Sequence, residues 1–147
     1  MLDAIFGKAA IVDVGVLPDM VAASAAEGDA PTVFEWLDQD SKAHIDAKFD
    51  SPDGTVQSAT LLMMACGCGH EKLALQLIER GANINLQNSY GGCALMGAAA
   101  EGHVNILRAL VKAKATLTLV DANGDTALAL ATKNEKTDCM EVLSGKA

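Results

Sequence analysis

Residues 88–120 read NSYGGCALMGAAAEGHVNILRALVKAKATLTLV, and the same frame returns on both sides of this stretch. A shift of 33 residues lays Leu62 on Leu95 and Leu128, Ala65 on Ala98 and Ala131, and Leu77 on Leu110 and Leu143. Gly69-His70 falls on Gly102-His103, Ala82 on Ala115 and Gly91 on Gly124, with no gap from residue 55 to the end. A fixed period of this size marks one supersecondary unit, repeated and stacked.

Each unit has the same internal order. A short apolar helix (ATLLMMACGCGH, GCALMGAAAEGH, DTALALATKNEK) runs to a stop, for which Gly69 and Gly102 suit the left-handed position. A second helix follows, with Leu73, Leu77 and Ile78, then Ile106, Leu110 and Val111, on one stripe. A turn-rich segment closes the unit, and Tyr90-Gly91-Gly92 and Asn123-Gly124 supply residues for a hairpin tip. Such a unit cannot bury its apolar face alone, so neighbours must bury it for one another.

The quoted stretch resembles an ankyrin repeat, a family whose frame is D-x-x-G-x-T-P-L-H-x-A-A-x-x-G-H followed by a leucine-rich helix and G-A-D/N-V/I-N. GANIN at 81–85, DANGDTAL at 121–128 and both Gly-His pairs carry the match. The resemblance implies an all-α solenoid of about four helix-turn-helix units with short β-hairpin fingers. The expected organisation is an apolar segment at 1–17, a divergent first unit at 18–54, units at 55–87 and 88–120, and a capping unit at 121–147. PDMVAASAAEGD fits the first unit's first helix, with Asp19 as N-cap. Gly28 and Gly69 are 41 residues apart, eight more than the period, and most of the excess falls in 49–59, read as a longer finger. The family's Pro and His are missing: Met63, Met96 and Ala129 stand where the His would tie units together, and must replace that bond with packing. Cys93 is a poor helix cap beside Thr60 and Thr126.

Composition narrows the function. Half of the 147 residues are hydrophobic but only 3% are aromatic, so alanine and leucine must build the core, and small side chains favour closely packed helices. The net charge of −8 argues against nucleic acid and anionic membranes, and favours a protein partner with a basic segment. No run approaches the ~18 apolar residues of a membrane span. Four cysteines with no signal peptide point to reduced thiols inside the cell, with the cytoplasm expected. At the N-terminus, Leu2, Ile5, Phe6 and Ala9 share a helical face, which would cap the first unit or dock on another subunit.

CGCGH at 66–70 looks like half a metal site, yet the repeat accounts for it. Cys66 occupies a buried alanine position, Cys68 a variable one, and His70 is the twin of His103. A zinc site wants two spaced ligand pairs, and no second pair is near in sequence. With His70 and His103 used by the repeat, only His44 remains, so no catalytic set forms. We expect no catalysis, no cofactor, no metal and no small-molecule ligand.

The expected role is therefore that of an adaptor or scaffold, a module that binds protein through the concave face. By resemblance to the family, the partner-binding positions are Val56, Gln57, Ala59 and Cys68 in one unit. Ser89, Tyr90, Gly92, Met96 and Glu101 follow in the next, then Ala122, Asn123, Asp125, Lys133 and Asn134. Tyr90, the only tyrosine, is the foremost anchor. The alternatives are a structural subunit of a larger assembly, and a metal- or thiol-regulated protein acting through CGCGH.

Overall fold

The computed structural model describes residues 19–39, 45–55 and 57–145. The apolar segment 1–17, His44 and Val56, on which expectations rested, lie outside the described residues. Among the described residues eight helices form four antiparallel pairs. They are α1 (Asp19–Glu27) with α2 (Ala30–Gln39), α3 (Leu61–Cys68) with α4 (Glu71–Glu79), α5 (Ala94–Glu101) with α6 (Val104–Lys112), and α7 (Ala127–Lys133) with α8 (Thr137–Leu143). The first helices α1, α3, α5 and α7 pack side by side in chain order, and each is backed by its own second helix. This is the stacked all-α architecture that the 33-residue period predicts.

Local chemistry explains why each first helix starts and stops where it does. Thr60 is extended, and its hydroxyl accepts a bond from Met63 N–H at 3.3 Å; Thr126 repeats this with Ala129 N–H at 3.2 Å. Cys93 holds the same extended conformation but gives no side-chain cap, as its chemistry predicts. Asp19 stands in the first turn of α1 instead of capping it, and the side-chain cap nearby is Asp29, which accepts from Thr32 N–H at 3.3 Å ahead of α2.

The stop is also the joint between units. Gly69 ends α3 at φ +80°, and the ring of His103 lies 2.6 Å from where a Cβ would stand. Gly28 lies under the ring of His70 in the same way, and Gly102 under the Lys136 stem at 3.0 Å. His70 Nε2 then meets Ala26 O at 2.6 Å, and His103 Nε2 meets Gly67 O at 3.3 Å. In the last joint Asn134 Nδ2 donates to Ala100 O at 3.1 Å. Each unit is thus bonded to the helix end of the one before it, through the histidine of the Gly-His pair in the first two joints and through Asn134 in the last.

Stacking builds the core. Ala65, Ala98 and Ala131 are fully buried between first helices, and Leu77 and Leu110 behind them. The effect of a neighbour is read directly from one repeated position: Leu62 and Leu95 are 1% exposed, whereas Leu128 in the last unit is 38% exposed. Burying a leucine is worth about 1.5–3 kcal/mol, so the neighbour supplies much of each unit's stability.

The fingers differ from the β-hairpins expected of them. Among the described residues a single antiparallel bridge forms, Phe49 with Ala59, closing the long first finger. The later fingers close as turns: Asn88 N–H donates to Gly92 O at 2.8 Å, and Asp121 N–H to Asp125 O at 3.0 Å. Inside each turn one side-chain oxygen does the work of a ladder. Asn88 Oδ1 accepts from the N–H groups of Tyr90 and Gly92, and Asp121 Oδ1 from those of Asn123 and Asp125. Fingers also join their neighbours, through Ser89 N–H to Gln57 O at 3.1 Å and Ala122 N–H to Tyr90 O at 2.8 Å.

Two stability outcomes follow. Gly69→Ala is expected to cost about 1–3 kcal/mol in urea unfolding, from a left-handed alanine pressed on the His103 ring, whereas Gly67→Ala, two residues earlier and inside the helix, should gain up to about 1 kcal/mol. Cys93→Thr should gain about 1 kcal/mol by restoring the cap; no rise in the unfolding midpoint would show that the cap bond does not form there.

Candidate partner-binding face

The first helices and the finger tips line one side of the stack. Tyr90 stands at the tip of the second described finger, 50% exposed, and its hydroxyl donates to Gly54 O at 3.1 Å. It therefore leans on the preceding finger while keeping half its surface open. Beside it lies a cavity of about 270 Å³. Its finger wall is Asn88, Tyr90 and Gly92, with Asp121 from the next finger. Cys93, Met96, Gly97 and Ala100 of the α5 region line it, and Met63 and Leu130 reach it from α3 and α7.

A second cavity, of about 310 Å³, opens between α1 and α3. Ala22, Ala23 and Ala26 form one wall with Asp19, and Met64, Cys68 and Phe49 form the other. Sequence reasoning missed it. Its signal was present as Ala22-Ala23 and Ala26, small residues facing the larger Met64, but alanine in a first helix reads as packing until the opposite wall is known.

The sequence-derived positions fare unequally. Gln57, Cys68, Ser89, Glu101, Ala122, Asn123, Lys133 and Asn134 are exposed, and Gly92 and Asp125 are half-buried. Two positions are less open than expected. Ala59 is 4% exposed because it bridges Phe49 inside the closed first finger. Met96 is 3% exposed because it packs inward at the position of the missing histidine, lining the first cavity. A partner could meet Met96 only from inside that cavity. Lys133 and Asn134 carry internal ties as well: Lys133 Nζ pairs with Asp125 Oδ2 at 2.5 Å, an exposed bond worth at most about 1 kcal/mol.

The face is acidic. Asp19 and Asp121 line the cavities, and no Lys, Arg or His does so among the described residues. On the first finger the Ser51 hydroxyl, then the Thr55 hydroxyl and N–H, hold the Asp53 carboxyl down at about 2, so it stays ionised throughout the neutral range.

The cysteines do not act as one group. Cys66 is fully buried, and loss of water, helped by the neighbouring Cys93, pushes its thiol up to about 12. Burial also raises the Cys93 and Cys139 thiols. A metal ligand must be a thiolate, which these surroundings disfavour. Cys68 alone is exposed, and His70 and His103 spend Nε2 on backbone carbonyls. Among the described residues no group of three or more His, Cys, Asp or Glu side chains is placed to hold a metal ion, and no helix is long and apolar enough to cross a membrane.

Comparison with known proteins agrees with the stacked-repeat fold. A family model described as ankyrin repeats (3 copies) matches residues 20–121 and 62–147. Protein fem-1 homolog A-like of Mus musculus is 36% identical over 84 residues, 57% of this chain and 13% of that protein. A probable E3 ubiquitin-protein ligase of Oryza sativa subsp. japonica is 32% identical over 83 residues, 56% of this chain and 16% of that protein. The ankyrin repeat and KH domain-containing protein mask of Drosophila melanogaster is 41% identical over 69 residues, 47% of this chain and 2% of that protein. The aligned stretch is thus a small part of each relative.

Thiol reactivity checks the burial pattern. In native protein at mildly alkaline pH a disulfide-exchange reagent should modify Cys68 rapidly, and Cys66, Cys93 and Cys139 only after denaturant is added. Rapid native modification of Cys66 would contradict its buried setting.

Proposed function

The chain belongs to the ankyrin-repeat family, and from that premise we propose that it is a non-catalytic adaptor that holds a protein partner against its first helices and finger tips. Ankyrin repeats are generally protein–protein interaction modules. The observation that carries the reading is Tyr90. A half-exposed aromatic ring, braced by its hydroxyl on Gly54 and set at the lip of a cavity, has the rigidity and amphipathic character of an interface anchor. Acidic residues around it favour a partner with a basic segment, chiefly through encounter rate.

The fem-1, ligase and mask relatives are larger proteins in which the matched repeats are one part. The ligase name belongs to that protein. For this chain we propose binding without chemistry, since its described histidines and buried cysteines are occupied in holding the stack together.

The test compares two surfaces. Proximity labelling in cells with wild type, Tyr90→Ala and Arg108→Ala should lose its specific partners for Tyr90→Ala and keep them for Arg108→Ala, which alters an exposed residue of the second helix α6. Both variants should unfold at nearly the wild-type midpoint. Loss with Arg108→Ala alone would move the interface to the opposite side.

A further inference from the structure

The two cavities lie on one face, and helix packing sets the distance between them. One is walled by α1 and α3. The other, beside Tyr90, centres on α5 and reaches Leu130 of α7. Packed helices stand about 8–10 Å apart, so one and a half steps separate the cavity centres by roughly 12–15 Å.

Gly67 of α3 forms the ground between them, set against Gly97 at the edge of the Tyr90 hollow. A Cβ on Gly97 would stand 3.3 Å from Gly67 Cα, so α3 and α5 approach closely here. A Cβ on Gly67 would meet nothing within 4 Å, so the space above it is open. The result is a bare saddle flanked by two apolar hollows, each with room for one large side chain. An extended chain rises about 3.3 Å per residue and returns to the same side every second residue. Residues i and i+4 then lie about 13 Å apart on one side, with i+2 above the saddle. A helix would cover the distance in about eight residues at 1.5 Å each. It would also present an apolar residue at i+4, halfway along, where glycine offers it no pocket.

Charge identifies the rest of the occupant. Asp19 stands on one cavity wall and Asp121 on the other, no basic residue lines either among the described residues, and the chain carries −8. Resting on the partner-binding reading above, we propose that this face takes an extended basic peptide segment with large apolar residues at i and i+4 and a small residue at i+2. The partner is recognised by a linear stretch of sequence, and its two anchors are read by the α1/α3 hollow and the Tyr90 hollow together.

The probe is a series of short fluorescein-labelled peptides, two leucines in a Lys/Gly/Ser background, with spacings from i,i+2 to i,i+8, titrated by anisotropy against the full chain. Affinity should peak at i,i+4 and fall about tenfold or more when either leucine becomes glycine, since each anchor is one buried side chain. Added salt, or glutamate in place of lysine, should weaken binding. Gly67→Leu fills the saddle without entering the core, and should abolish binding of the i,i+4 peptide while leaving the unfolding midpoint unchanged or raised. A peak at i,i+7 or i,i+8 indicates a helical occupant and overturns the proposal; so do equal affinity at all spacings, no binding, or full binding by Gly67→Leu. Those failures leave the Tyr90 and Arg108 labelling contrast intact, whereas loss of that contrast removes the face itself.

Discussion

The structure depends on one contact, repeated down the stack: a side chain from one unit laid over the left-handed glycine that ends the previous unit's first helix. Glycine is favoured there, for two reasons. Its φ is positive, and the ring or stem above it occupies the place of a Cβ. The same contact aims each histidine's Nε2 at a carbonyl near the end of the neighbouring helix, so a helix end that would leave carbonyls unpaired becomes a joint. Glycine therefore serves the stop and the spacing, and the histidine laid over it in the first two joints makes the bond between units.

Apolar burial acts on the spacing that this joint sets. With the first helices held side by side, alanines such as Ala65 and Ala98 are small enough to vanish between them, and the leucines behind are covered by the next unit. The outer side is tied more loosely. Arg80 lies 4.4 Å over the Phe34 ring and 2.7 Å from Asp38, both from α2, but the ion pair is largely exposed and so contributes little. Strength is concentrated along the inner row and the finger bases. That leaves the finger tips and the open side of the first helices to vary without loss of fold, which is why the candidate binding residues can gather there.

Several candidate positions turn out to serve the scaffold and the surface together. Tyr90 braces a finger and offers half a ring; Asn134 caps the Ala100 carbonyl and remains exposed. Met96 shows the limit of reading role from register. Its position follows from the repeat, but whether a flexible thioether there turns outward or inward depends on how closely α3 and α7 approach. Here it turns inward and becomes the floor of a hollow. The CGCGH segment resolves on the same physical ground. Two adjacent-looking thiols separate into a buried Cys66 and an exposed Cys68, and the histidine turns to the neighbouring unit's backbone.

The sequence by itself determined the period, the helix pairs, the glycine stops, the weak cap at Cys93 and the acidic character, because each of these is local chemistry repeated at a fixed spacing. Only the tertiary structure decided which member of a repeated position is covered, as Leu62 is and Leu128 is not, and that the fingers close as side-chain-braced turns. It alone brought Ala22 and Ala26 opposite Met64 and Phe49 to form a hollow, and set Gly67 against Gly97 to leave bare ground beside it. The reason is physical: burial and cavities belong to pairs of surfaces, and a period tells which surfaces repeat without telling how closely two of them will meet.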